Sequence, residues 1–311
     1  MNPARPLSRA TLTDDAQIFE YSNAADPISS GATPRIPIRV FSPYLYQSGA
    51  TRIVPLDLSS ELKTSYAATG PSLLASFIRI QGGQEVATLA KASSELFYVI
   101  RGSGHSATPA GLIDWREGDV IALPGSAATH FADTDSEFYS VNDSPLLNYL
   151  GVQSSEERFQ PTLYTSAAIR KELEDAKKDP MSASRSRVSI LLANRRFEQT
   201  RTLTHTLWCM FGSIAPDARQ LAHRHQSVAL DFVVDAKPGV YTLLGSELNE
   251  DGTIQDPLRI DWVKGAAFVM PPGYWHEHVN ESGAEAIVMP IQDAGLHSYR
   301  RTLDIRFQRE N

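Results

Sequence analysis

The chain of 311 residues has a single cysteine, Cys209, which excludes an intramolecular disulfide and suits a reducing compartment. It has no run of about 18 apolar residues, so no membrane-spanning helix is expected. Its opening stretch, MNPARPLSRATLTDD, lacks the apolar segment of a secretory signal, and none is expected. Basic residues are not in excess: Lys+Arg 29 stand against Asp+Glu 36, a net charge of −7. An acidic, unclustered balance argues against a nucleic-acid or anionic-membrane partner. It does not exclude an anionic small substrate, because one well-placed arginine can hold a carboxylate. With 42% hydrophobic and 21% charged residues, the expectation is a folded cytoplasmic protein of one large or two ordinary domains.

Residues 1–40 are rich in Pro, Ser, Ala and Asp with little periodicity, and are expected to form an extended arm. Short apolar or β-branched runs follow, bounded by Gly, Pro or Asp: LLASFIRI (73–80), ELFYVIRG (95–102), DVIALP (119–124) and EFYSVND (137–143). Residues 165–180 combine helix formers with a Thr/Ser start and a stop at Pro180, which predicts a helix. The strand rhythm then returns in RVSILLA (187–193), TLTHTLWCMFGSI (202–214), LDFVVD (230–235), GVYTLLG (239–245), AAFVMP (266–271) and AEAIVMPI (284–291). The repeated order of elements predicts an all-β protein with an internal repeat.

Four of the eight histidines lie in two triplets, His223-Arg224-His225 and His276-Glu277-His278. On a strand, residues i and i+2 share a face, so each triplet can send both imidazoles inward. Imidazole is the commonest ligand for a divalent metal, and two such strands would build a metal cup. Alternation then turns Arg224 and Glu277 outward, as surface or interface residues.

Residues 265–280 read GAAFVMPPGYWHEHVN: Gly265, five residues, Pro271, one, Gly273, two, His276, three, Asn280. This resembles the second motif of the cupin superfamily. The first cupin motif places a Glu three or four residues after His-x-His, and here those positions are Ala229 and Leu230. AHRHQSVALDFVV together with PPGYWHEHVNES resembles the gentisate and salicylate 1,2-dioxygenases, which use a three-histidine iron site without the Glu. The resemblance is specific over about 205–295.

It implies a bicupin: two double-stranded β-helix (jelly-roll) barrels joined by a helical linker. The expected division is an arm at 1–40, a first barrel at 41–155, a linker with a leading strand at 156–200, and a second barrel at 201–311. In the first barrel Gly83, Glu95 and Gly102 fall at first-motif spacing, but Leu89 and Lys91 occupy the histidine positions. Gly118 and Pro124 open its second motif, whose histidine is displaced by one to His130. That barrel is expected to bind no catalytic metal, and Glu95 and His130 can still meet inside it.

In the second barrel the resemblance implies iron(II), or another divalent metal, on His223, His225 and His276. His278 is expected to contact substrate or the dioxygen-derived group; a fourth ligand is the other reading. Trp208 lies fifteen residues ahead of His223, either against the substrate ring or in plain core. Arg187 is the candidate for the substrate carboxylate, with a solvated strand-start arginine as its alternative. Two departures stand out. The resembling enzymes read ALRF where this chain has ALDF, placing Asp231 at an arginine position. An inward carboxylate there repels a substrate carboxylate, or receives an amine or hydroxyl. Their LDGLD-like stretch is MPIQDAG here and keeps only Asp293, the last substrate-site candidate.

The function implied is a non-haem iron(II), extradiol-type ring-cleaving dioxygenase. It would act on a gentisate- or salicylate-like acid with dioxygen, in an assembly of identical chains. The alternatives are a cupin isomerase, lyase or hydrolase using its metal as a Lewis acid, and a small-molecule-binding bicupin without turnover.

Overall fold

A computed structural model describes residues 8–89, 91–181 and 187–308. The chain divides into two compact units, Met1–Arg35 and Ile36–Asn311. The first carries the short helices Arg9–Thr13 and Tyr21–Ala24. The second of these is capped by Glu20, whose carboxylate accepts from the backbone N–H groups of Ser22 and Asn23. Residues 36–40, assigned with the arm on sequence, fall in the other unit. Val40–Phe41 pairs there with Ala267–Met270.

The sheet-bearing unit holds two pairs of antiparallel sheets. In the first pair a six-stranded sheet runs, edge to edge, Thr162–Tyr164, Val120–Leu123, Glu95–Arg101, Ser136–Asn142, Leu74–Ile80 and Arg52–Pro55. Its partner has four strands, Glu85–Thr88, Ala128–Ala132, Ser103–Thr108 and Gly111–Arg116. Between them Phe97, Trp115, Ile121 and Phe138 form a buried core. In the second pair the six strands run Val40–Phe41, Ala267–Met270, Ala229–Asp235, Ala286–Gln292, Trp208–Ile214 and Val188–Leu192. The facing sheet has five, Leu258–Asp261, Val240–Gly245, Trp275–Asn280, His223–Arg224 and Arg306–Phe307. Val233, Leu244, Ile260 and Val288 lie between them.

The two six-stranded sheets share the largest core cluster, in which Phe232 stacks on Tyr139 with ring centroids 4.9 Å apart. Their central strands are therefore buried on both faces. In Ala286–Gln292, Ile287, Met289 and Ile291 join the shared core, whereas Ala286 and Val288 face the five-stranded sheet. This is why such strands read as unbroken apolar runs.

The helix Ser166–Lys177 starts on Thr165, which accepts the Ala168 N–H at 3.3 Å, and it buries Ile169 and Leu173 one turn apart. It ends three residues short of Pro180.

Candidate active site

The two histidine triplets meet. His223 on the strand His223–Arg224 lies directly opposite His276 on Trp275–Asn280, and their ring centroids are 4.0 Å apart. His225 follows one residue beyond its strand, with its ring 5.0 Å from that of His276 and 6.3 Å from that of His223. His278 lies 5.8 Å from His276, on the same face. All four are buried.

Hydrogen bonds separate these histidines into two kinds. Nδ1 of His223 faces the Leu221 carbonyl at 3.2 Å, and Nδ1 of His276 faces the Tyr274 carbonyl at 3.1 Å. Nδ1 of His225 faces the Ser227 carbonyl at 3.0 Å. A carbonyl only accepts, so each of these Nδ1 atoms carries the proton and each Nε2 presents a lone pair. His278 is the reverse. The Trp262 indole donates to Thr242 Oγ1 at 2.8 Å, and that hydroxyl lies 2.8 Å from His278 Nδ1. With the hydroxyl hydrogen directed to Nδ1, the Trp262–Thr242–His278 chain is satisfied and the imidazole proton sits on Nε2. Three lone pairs and one N–H thus line the same space.

Burial keeps these rings neutral. Desolvation is the largest cause in each case: it drives His223, His276 and His278 well below the usual imidazole range and His225 down to about 4. A neutral imidazole is the form that ligates a metal.

The rings open onto a cavity of about 100 Å³. Arg187, Trp208 and Asp231 line it with the four histidines. Met210 shares the strand face of Trp208 by the i, i+2 rule, and Ile305 and Phe307 come from the far end of the chain. Phe307 stacks on His223 at 5.4 Å. Pro290 also faces the cavity, and the ladder between its strand and Trp208–Ile214 is interrupted beside it, at Met210 and Phe211. A proline has no N–H to give that ladder.

Asp231 is fully buried, and neither carboxyl oxygen has a hydrogen-bond partner among the described residues. Desolvation raises its pKa to about 7, against a lowering influence from Arg187. Its Oδ2 lies 4.0 Å from His278 Nε2, which is likewise unpartnered. Arg187 is half-buried.

Asp293 is not brought to the cavity. It is buried at the start of the helix Ala294–Arg300 and accepts the Val228 N–H at 2.9 Å, a task that pins two segments of backbone. Glu277 points away from the cup as alternation requires, yet it is buried rather than at the surface, because Arg219 covers it with Nε 3.0 Å from Oε2. Arg224 is half-buried, its guanidinium 5.0 Å from the Trp275 ring. Gln220 was not singled out from sequence. It is buried at the cavity, and its Oε1 is unpartnered. The only signal was its place three residues before His223.

The donor set fits a divalent metal: neutral imidazoles, each oriented by a carbonyl behind it, leave lone pairs facing a shared space. Among the described residues, however, no three ligating side chains converge closely enough to constitute a formed metal site. A larger, more open cleft of about 840 Å³ lies elsewhere, lined by Arg158, Arg196 and Tyr299 among others. Its one histidine, His205, has its Nε2 committed to Ser93, so that cleft lacks a comparable donor set.

In the first sheet pair Leu89 is 78% exposed and Lys91 is also exposed, so neither histidine position of the motif points inward. Glu95 and His130 do not bond to each other. The His130 ring nitrogens face Ser106 Oγ at 2.7 Å and Thr88 Oγ1 at 3.0 Å, and Glu95 Oε2 has no partner among the described residues.

No family model matches the chain, and no curated protein does either. Solved structures do. A salicylate 1,2-dioxygenase from Pseudaminobacter salicylatoxidans superposes with a TM-score of 0.72 over 98% of this chain and 99% of its own, at 13% identity. The same enzyme with gentisate bound gives 0.72 over 100% and 96%, at 11% identity. The chain has their all-β cupin fold. Procruciferin, an 11S globulin from Brassica napus, superposes with a TM-score of 0.59 over 89% and 87%, at 13% identity. One fold therefore holds both a dioxygenase and a globulin, and function must be argued from the site.

Proposed function

We propose that this protein is a non-haem, metal-dependent dioxygenase that opens the ring of a small hydroxylated aromatic acid, in the extradiol manner and with iron(II) as its metal. The observation that carries the reading is the convergence of four buried histidines on a single cavity, three with Nδ1 against a backbone carbonyl and one with Nδ1 against a hydroxyl. On this reading His223, His225 and His276 hold the metal. When bound there, iron(II) would supply the redox chemistry.

The protein's own residues do the rest. Arg187 attracts the substrate carboxylate through a charge that needs no proton uptake at neutral pH. Trp208 offers a ring face and an indole N–H that has no partner among the described residues. His278 presents an N–H to the cavity, where it can donate to a polar atom of the substrate. Phe307 and Ile305 add apolar surface to the cavity lining.

The two sheet pairs are read as two barrels of a bicupin. The helix Ser166–Lys177 and the strand Val188–Leu192 link them, and only the second barrel is catalytic. The test is oxygen consumption by protein reconstituted with iron(II) over a panel of hydroxylated benzoates. Consumption with matching ring-opened product is expected. Its absence across the panel, in protein that retains one iron per chain, overturns the reading.

A further inference from the structure

Five polar atoms at the cavity have no hydrogen-bond partner among the described residues: Trp208 Nε1, Gln220 Oε1, both carboxyl oxygens of Asp231, and His278 Nε2. Asp231, Gln220 and His278 are each more than nine-tenths buried. Buried polar groups are nearly always paired, so five orphans around one space describe the missing partner. The pattern is mixed. Trp208 and His278 offer N–H donors, and Gln220 and Asp231 offer acceptors.

The Asp231–His278 pair is the most restrictive part. Its gap of 4.0 Å is too long for a direct bond and too short to hold two ligand atoms. A single atom bonded to both at about 2.8 Å spans such a gap at roughly a right angle. That atom must accept from His278 Nε2–H and donate to Asp231. A hydroxyl or an amine does both. A methyl does neither, and a carboxylate oxygen cannot donate. Size bounds the rest. A cavity of roughly 150 Å³ takes up benzene, so about 100 Å³ admits a ring only when lining side chains such as Ile305 and Phe307 yield.

We infer that Asp231 and His278 form a specificity clamp that selects a single-ring acid bearing a second hydroxyl or amine and discriminates against the ring without one. This rests on the reading of the cavity as an aromatic-acid site. It goes further in making Asp231 the residue that distinguishes among such acids.

Calorimetric titration of the iron(II)-loaded protein under argon tests it without turnover. The probes are 2-hydroxybenzoate, its 3-, 4- and 5-hydroxy derivatives, and 5-amino-2-hydroxybenzoate. The wild type is expected to bind at least one donor-bearing derivative roughly tenfold or more tighter than 2-hydroxybenzoate, the scale of one buried hydrogen bond. In Asp231→Ala that ratio should fall to about one, through loss of affinity for the derivative while 2-hydroxybenzoate holds or gains. Asp231→Asn keeps the shape and is expected to retain part of the preference. It also guards against a folding artefact, since it removes an unpartnered buried acid. An unchanged ratio in both variants overturns the clamp and leaves the aromatic-acid site standing. Failure of all five compounds to bind wild type or variants overturns the aromatic-acid site, and the clamp with it.

Discussion

In the first sheet pair the Trp115 indole donates to Ser106 Oγ at 3.0 Å, and that hydroxyl lies 2.7 Å from His130 Nδ1. In the second, Trp262 donates to Thr242 Oγ1 and Thr242 faces His278 Nδ1, both at 2.8 Å. The registers agree: Ser106 pairs with His130 as Thr242 pairs with His278. Likewise Glu95 lies opposite Leu123 as Ala229 lies opposite Met270. His130 is therefore the counterpart of His278, and Ala128 stands where the second pair has His276. The two differ at the other ring nitrogen. Thr88, seven residues before Glu95, closes His130 Nε2. The residue seven before Ala229 is Ala222, which has no hydroxyl, and His278 Nε2 stays open. A Trp–hydroxyl–His chain thus belongs to the framework. What distinguishes the second pair is an Nε2 left open beside three further histidines.

The largest effect that can break this comparison is loss of metal. His223→Ala, His225→Ala or His276→Ala should each reduce bound iron from near one per chain to near none, because an open site has no spare protein ligand. His130→Ala should leave the stoichiometry unchanged. Elemental analysis of purified variants decides it. Full occupancy in His276→Ala, or a second tightly bound metal that His130→Ala removes, would contradict the division of roles.

Next in size is His278 itself. His278→Ala should keep the metal and lose turnover by about 10²–10⁴-fold, the range for removal of one positioned proton donor. Loss of iron in that variant would make His278 a ligand instead. A smaller effect is expected for Thr242→Val, which removes the group that holds the His278 proton on Nε2. A loss of roughly 10-fold in kcat, with metal retained, matches the usual cost of an orienting partner. Equal kcat in Thr242→Val and wild type would show that the tautomer is set otherwise.

Much of this was legible in the residues, and the exceptions have identifiable causes. His-x-His and the Gly265–Asn280 spacing located all four site histidines, and alternation from His225 turned Asp231 inward. Alternation predicts Glu277 outward, at the surface or an interface. Its direction follows from alternation, but its burial depends on Arg219, a partner 58 residues away in sequence. His130 looked displaced by one because spacing was counted from Pro124. Counted from the Pro-Gly pairs, Pro124-Gly125 and Pro272-Gly273, His130 and His278 fall at the same offset. The extra residue is the second proline of Pro271-Pro272. Asp293 carried a motif position and proved to hold backbone. Gln220, Ile305 and Phe307 reach the cavity from segments with no pattern of their own, so only tertiary structure assembles them.

The finest contrast lies between the two unpartnered acids. Each sheet pair buries one: Glu95 at the motif position in the first, and Asp231 two residues past the corresponding Ala229 in the second. Asp231 has Arg187 nearby to favour its charge, whereas Glu95 has only Asp143, which opposes it. Burial, with Asp143 adding to it, raises the Glu95 pKa from 4.5 to about 8. Below pH 4.5 the group is neutral whether the chain is folded or unfolded. Between 4.5 and about 8 the unfolded chain releases the proton and the folded chain keeps it, so stability falls as pH rises through that window. Glu95→Gln keeps the shape and removes the titration. The variant should match the wild type near pH about 4 and exceed it by on the order of 2–4 kcal/mol at pH about 9. Denaturant midpoints measured across that range test this. A gap that is constant with pH, or that widens toward acid, would mean that Glu95 is ionised in the folded protein.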